Sequence, residues 1–321
     1  MKHGLQVNLI LIFPQIFRHG DRSPIETYKN DPYSNASYWP MGWGQLTNKG
    51  KMQHYEFGRW MRNRYSKLLP ELYHRTDVYV QSTDVDRTLM SVESHLAGLY
   101  PPATSQIWNQ NLSWQPIPIH TVPESMDYVS INSLRALPYF PHFSNFTLLN
   151  STFEFFFQGP LIGQITKHLE KKSRGKLTPD RKLWIYSAHD TTVAAVLMAL
   201  NLYNSAPPPY TAAIIFELRK NSANEHFVSL YYRNTTDQPP YELVLPGCLF
   251  YCPLDQFIML TKPVVPDDWQ SECESSYNIS SLVMHNMYIV ASKSKLLHLS
   301  VSLSILKTQQ LFSKGSHLNF G

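Results

Sequence analysis

The sequence predicts a doubly wound α/β fold, a mostly parallel sheet with helices on both faces, and three observations carry that prediction. Residues 8–17 and Leu183–Ser187 are short, largely apolar runs of the kind buried on both faces of a parallel sheet. The first run stops at Arg18-His19 and the second at His189-Asp190. Helical periodicity follows each pair, so strand, polar pair and helix recur as one unit. Both pairs then meet at the carboxyl edge of one sheet, where open α/β proteins bind ligands.

Taken in order, the first run contains Pro14, which has no amide donor and is badly accommodated in a central strand. A loop through Trp39, Pro40 and Gly44 leads to a helix whose buried stripe is His54, Phe57, Met61, Tyr65 and Leu68. His54 is read there as a packed histidine. Val78-Tyr79-Val80 is a strand, and Asp86 is placed as N-cap of a helix with Leu89, Val92, Leu96 and Leu99 on its apolar face. Arg87 follows at that helix's N-terminus, where backbone N–H groups already favour anions. Trp114–Pro123 is an extended connection in which His120 packs, and Gln158–Leu169 is helical. After Leu183–Ser187, Val193, Val196, Leu197 and Leu200 line a helix with Asp190 or Thr191 as its cap. Ala213–Leu218 and Phe227–Tyr232 form an antiparallel hairpin at the sheet margin.

With 321 residues the chain can bury a substantial core, and a net charge of +4 without a Lys/Arg stripe argues against nucleic acid as a partner. Cys248 and Cys252 are spaced to close a small disulfide loop or to form half a metal site. No second Cys/His pair stands at ligand spacing, so the disulfide is preferred and no metal or other cofactor is expected. Asn35, Asn111, Asn145, Asn150, Asn234 and Asn278 head Asn-x-Ser/Thr acceptors, which with a disulfide favour the secretory route. A cleavable signal is not evident, because cleavage after Leu9–Phe13 would remove the strand leading to His19. Either the true start lies upstream or this version is not exported. No stretch is apolar and long enough to span a bilayer.

The chemistry centres on Arg18-His19-Gly20-Asp21-Arg22-Ser23-Pro24. Neighbouring cations disfavour an imidazolium, so His19 is expected neutral and nucleophilic. Arg18 and Arg22 supply permanently charged planar forks that suit phosphate oxygens. Together these residues point to phosphoryl transfer.

Three separated blocks, Arg18–Pro24, Ser82–Met90 and Tyr186–Thr192, make the chain resemble the histidine acid phosphatases of the prostatic, lysosomal and testicular group. The similarity runs, with gaps, from about residue 16 to about residue 274. It implies a histidine phosphatase-like domain over 1–274 and a divergent tail over 275–321. It also implies a reduced α-helical cap, since about 130–160 replaces a much longer helical insertion that roofs the site in the family. By resemblance His19 is the nucleophile, Asp190 the proton donor, and Arg18, Arg22, Arg87 and His189 the phosphate ligands. The activity implied is metal-free hydrolysis of phosphate monoesters through a phosphohistidine, fastest at acidic pH, in the lysosomal lumen or outside the cell. Dimers occur among such relatives, so a homodimer is compatible with the resemblance. The family usually has arginine where this chain has Gln81, and it pairs the cysteine corresponding to Cys273 with a mid-chain cysteine that is lacking here. Two alternatives share these residues: a catalytically inactive or impaired isoform of the same fold, and a phosphomutase-like relative.

Overall fold

The computed structural model describes residues 9–123, 127, 129, 152–236 and 238–268, with 152–157 as backbone only. Its elements in chain order are β1 (Leu9–Arg18), α1 (Asn48–Arg64), β2 (Val78–Ser82), α2 (Asp86–Leu99), α3 (Thr152–Ser173), β3 (Leu183–Ala188), α4 (Asp190–Ala199), β4 (Ala213–Lys220), β5 (His226–Arg233), β6 (Tyr241–Leu243), β7 (Cys252–Pro253) and α5 (Leu254–Thr261). The sheet order is β2-β3-β1-β4-β5-β6, with β7 also paired to β5. β1 and β2 are each parallel to β3, whereas β4 runs antiparallel to both β1 and β5. Four strands, β1, β2, β3 and β5, therefore point the same way among the described residues.

Alternation along β1 divides the core between two faces. Phe13 and Phe17 join Phe57 and Met61 of α1 and Val92, Leu96 and Leu99 of α2 on one side. Ile12 and Ile16 join Leu161 and Ile165 of α3, Val193 and Val196 of α4 and Phe257 of α5 on the other. Helices on both faces explain why β1 and β3 read as continuous apolar runs, since neither side of the central strands meets water. Burial of each such large side chain contributes about 1.5–3 kcal/mol, so both layers are held strongly.

Pro14 is accommodated in the middle of β1, against the expectation that a central strand would take it badly. Phe13 N donates to Lys182 O beside β3, so the alternation of the strand turns the Pro14 nitrogen toward β4. Pairing with β4 passes from Ile12↔Leu218 to Gln15↔Ile215. The missing donor falls in that gap.

Three local expectations are corrected. Asp86 is the first residue of α2 rather than its cap; Val85 holds the cap position without a side-chain bond, and Asp86 Oδ2 accepts from Gln45 Nε2 at 3.1 Å. Likewise His189, not Asp190 or Thr191, is the N-cap of α4. The β4–β5 hairpin is not marginal: β4 lies against β1, and β5 carries β6 and β7 outside it. Six consecutive residues of β4 are buried, which a strand at the margin would not achieve. The helix expected over Gln158–Leu169 extends over the whole of α3, while the rest of the cap segment, Cys273 and the tail lie outside the described residues.

Candidate active site

Strand register brings the site together. Arg18 pairs with Ala188 and Ser82 with Ser187, so the carboxyl ends of β1, β2 and β3 are flush. His19 follows β1, Arg87 lies in the first turn of α2 beyond β2, and His189 and Asp190 follow β3. His19 N donates to Ala188 O at 3.0 Å, tying the first block to the third.

The bend after His19 requires close approach to α1. A Cβ on Gly20 would sit 2.4 Å from Gly50 O, and one on Gly50 would sit 2.2 Å from Asp21 O. Only glycine fits either side of that contact. Asp21 is then fastened to the start of α1, its O accepting from Thr47 N at 2.9 Å and its Oδ2 from Thr47 Oγ1 at 2.6 Å. Ser91 of α2 completes the anchor by accepting from Gly20 N at 3.0 Å.

His19 is 2% exposed. Its Nδ1–H donates to Gly20 O at 2.8 Å, which leaves Nε2 as the lone-pair nitrogen. Burial, opposed by that bond and reinforced by His189, Arg18 and Arg87, lowers its pKa to about 2. The direction agrees with the sequence reading but the leading cause does not: burial outweighs the neighbouring cations. His189 has its ring centroid 5.7 Å from that of His19 and bonds Thr83 Oγ1 through Nε2 at 3.1 Å. Burial first, then Arg87, lowers its pKa to about 4.

Arg18 donates through Nη1 to Pro208 O at 2.6 Å and pairs through Nη2 with Asp190 Oδ2 at 2.9 Å. Arg22 donates through Nη1 to Ser23 O at 2.9 Å. The Nε–H groups of Arg18, Arg22 and Arg87 are all buried without a hydrogen-bond partner among the described residues. Arg87 is held below the ordinary guanidinium value by burial and then by Arg22, and Arg18 by burial despite Asp190. Three guanidiniums that repel one another and keep unsatisfied donors form a cluster suited to a multiply charged oxyanion.

His19, His189, Arg18, Arg22, Arg87 and Asp190 are thus one cluster drawn from three parts of the chain. Sequence reasoning missed Thr83, Ser91, Pro208 and Tyr210, which contact these residues. Thr83 lay within a block already singled out; the triple proline before Tyr210 was the available signal for the loop. His54 is fully buried, as read, and donates through Nε2 to Arg18 O at 3.1 Å. His120 stacks on Tyr79 at 5.0 Å.

Away from the site, Cys248 and Cys252 form a disulfide with Cα atoms 5.5 Å apart. Asn35 and Asn111 are exposed and Asn234 is half-buried, while Asn145, Asn150 and Asn278 lie outside the described residues. Among the described residues no helix is long and apolar enough to cross a membrane, and no group of three His, Cys, Asp or Glu could hold a metal ion.

The family model for the histidine phosphatase superfamily (branch 2) matches residues 14–152 and 157–233. Human lysosomal acid phosphatase is 37% identical, with 84% of each chain covered. Bovine prostatic acid phosphatase is 36% identical, with 84% of this chain and 89% of the relative covered. Among solved structures, Hafnia alvei phytase in complex with tartrate superposes with a TM-score of 0.60 at 17% identity, covering 80% of this chain and 97% of the phytase. That similarity speaks to the fold alone. The family match over most of the chain and the identity to these acid phosphatases place the chain in branch 2 of the histidine phosphatase superfamily.

Proposed function

We propose that this protein is an acid phosphatase that hydrolyses phosphate monoesters through a phosphohistidine intermediate. One observation carries the reading: a buried imidazole with an unprotonated Nε2 is clustered with three guanidiniums whose Nε–H groups lack partners among the described residues. In the first step His19 Nε2 attacks phosphorus and the ester oxygen departs with a proton from Asp190. In the second, water attacks the phosphohistidine while Asp190 takes a proton back, and inorganic phosphate leaves. Arg18, Arg22, Arg87 and His189 hold the equatorial oxygens as the loose transition state spreads charge over them. Asp190 must carry a proton at the start, so activity is highest at acidic pH. A nucleophile that stays neutral down to about pH 2 remains available throughout that range.

The catalytic domain is taken as residues 1–274 with a divergent tail over 275–321; the family match and a compact unit ending at Pro266 support this division. A lysosomal or secreted glycoprotein is the accompanying reading. The names of the relatives, the disulfide and the exposed acceptors Asn35 and Asn111 support it. A homodimer is the assembly proposed from the same relationship. The test is rapid quench of turnover on an activated aryl phosphate. The expected result is an acid-labile, base-stable phosphoenzyme mapping to His19, with neither phosphoenzyme nor turnover in folded His19→Ala. Near-normal turnover by that variant would reject His19 as nucleophile.

A further inference from the structure

The segment Pro207–Ala212 contacts both residues of the first pair, Arg18 and His19. Pro208 O takes Arg18 Nη1, and Thr211 N donates to His19 O at 3.1 Å. Between these two contacts the Tyr210 ring lies under Arg18, with the guanidinium carbon 4.1 Å from its centroid. The same ring is tilted toward His19, centroid to centroid 5.8 Å.

The segment is stiff. Pro207, Pro208 and Pro209 fix three successive φ angles. Thr211 turns at φ 61, and its O accepts from Arg233 Nη1 at 3.2 Å. Ala212 N closes the bend on Pro209 O at 3.0 Å, and Ala212 O receives Arg18 N at 2.9 Å. Tyr210 itself is half-buried and belongs to neither core cluster. Its ring packs on the catalytic pair, not on the hydrophobic layers.

A guanidinium can swing about its stem, and each orientation offers a different fork to an oxyanion. Here Pro208 fixes one terminal nitrogen, Asp190 the other, and Tyr210 covers a face. Asp190 cannot serve as a constant clamp if a phosphoryl group competes for Nη2. Tyr210 can, because a stack on the π face leaves every N–H free.

We propose that Tyr210 is a positioning residue, which by stacking on Arg18 holds its fork in the phosphate-binding orientation before and after Asp190 releases it. The inference rests on the phosphatase reading above. Competitive inhibition by inorganic phosphate, together with kcat and KM for an activated aryl phosphate, is measured in wild type, Tyr210→Phe and Tyr210→Leu, each first checked for folding by thermal melting. Tyr210→Leu raises the phosphate inhibition constant and KM about 2- to 30-fold, the span of cation–π contacts from exposed to desolvated, with a smaller change in kcat. Tyr210→Phe keeps the stack and stays within about twofold of wild type. In an Arg18→Lys background the same Tyr210→Leu change has less than half its effect on a logarithmic scale, because an ammonium can still lie over the ring but the planar fork that the ring orients is gone.

An unchanged inhibition constant in Tyr210→Leu overturns the proposal, as does a full additive loss in the Arg18→Lys background. An equal loss in Tyr210→Phe overturns it too, since the hydroxyl would then be responsible. If Tyr210→Leu does not fold, Tyr210→Gln is read in its place by the same criteria. Wild-type protein that neither binds phosphate nor turns over would instead defeat the phosphatase reading, so the two failures are distinguishable.

Discussion

Replacing Gly50 by alanine tests whether packing outside the cluster sets the position of His19, the proposed nucleophile. By helix propensity alone the change is favourable by about 1 kcal/mol, because Gly50 lies in the first turn of α1. The tertiary contact predicts the opposite. A Cβ there would stand 2.2 Å from Asp21 O, 2.7 Å from Asp21 N and 2.8 Å from Leu46 Cδ1. An ordinary carbon–oxygen contact is about 3.3 Å, so the loop and the helix must separate by about 1 Å. Overpacking of this kind costs about 1–3 kcal/mol, which at least cancels the gain in propensity. Asp21 follows His19 by two residues, and a misplacement of about 1 Å at a reacting group lowers rate about 100-fold. Gly50→Ala is therefore expected to lose about 100-fold in kcat/KM on an activated aryl phosphate while melting at a modestly lower temperature. If the folded variant keeps kcat/KM within about threefold of wild type, α1 gave way instead of the loop. The claim that this contact holds His19 in place would then be wrong.

Asp190→Asn should slow esters of poorly leaving alcohols far more than activated aryl esters; equal losses on both would count against Asp190 as proton donor. Stability should fall on acidification because several histidines are buried neutral: burial lowers His54 to about 3, His168 and His189 to about 4, and His95 well below its usual value. Unfolded histidines take protons near pH 6.5 while these native ones do not, so their contribution is complete above 6.5 and lost as pH falls toward the folded values. His54→Gln removes one such group and should reduce the pH slope of unfolding free energy by about 1.4 kcal/mol per pH unit between pH 6 and 4. Parallel wild-type and variant curves in denaturant titrations would refute that account. Fully buried Glu217 accepts from Arg64 Nη2 at 2.9 Å, Tyr65 Oη at 2.6 Å and Arg219 Nε at 2.8 Å. Glu217→Leu removes the carboxylate that both guanidiniums share and should cost about 3–5 kcal/mol by urea denaturation; a loss under about 1 kcal/mol would mean the pair is compensated elsewhere.

Much of the fold and the principal cluster could be read from the chain, because the signals are local. A run buried on both faces must be apolar throughout, so β1 and β3 announced themselves, and the polar pairs at their ends marked the sheet edge. Arg18, His19 and Arg22 stood out by residue type in one short block, whereas Arg87, His189 and Asp190 were singled out chiefly through the family resemblance of two others. Cap assignments at Asp86 and Asp190 missed by one residue, since a helix start depends on backbone angles that the acidic side chain does not dictate.

Other features were settled only when distant segments packed. Pro14 is harmless because the ladder to β4 is interrupted beside it, a matter of register between strands about two hundred residues apart. The hairpin's inward position follows from β4 meeting β1, and the neutrality of His19 follows chiefly from burial rather than from the arginines beside it. Tyr210 and Pro208 carry no recognisable catalytic pattern, yet both contact Arg18 across some 190 residues. Residue types and periodicities are local properties that the chain itself determines. Close contact, desolvation and the orientation of a guanidinium exist only between segments already brought together, so the tertiary structure alone decides them.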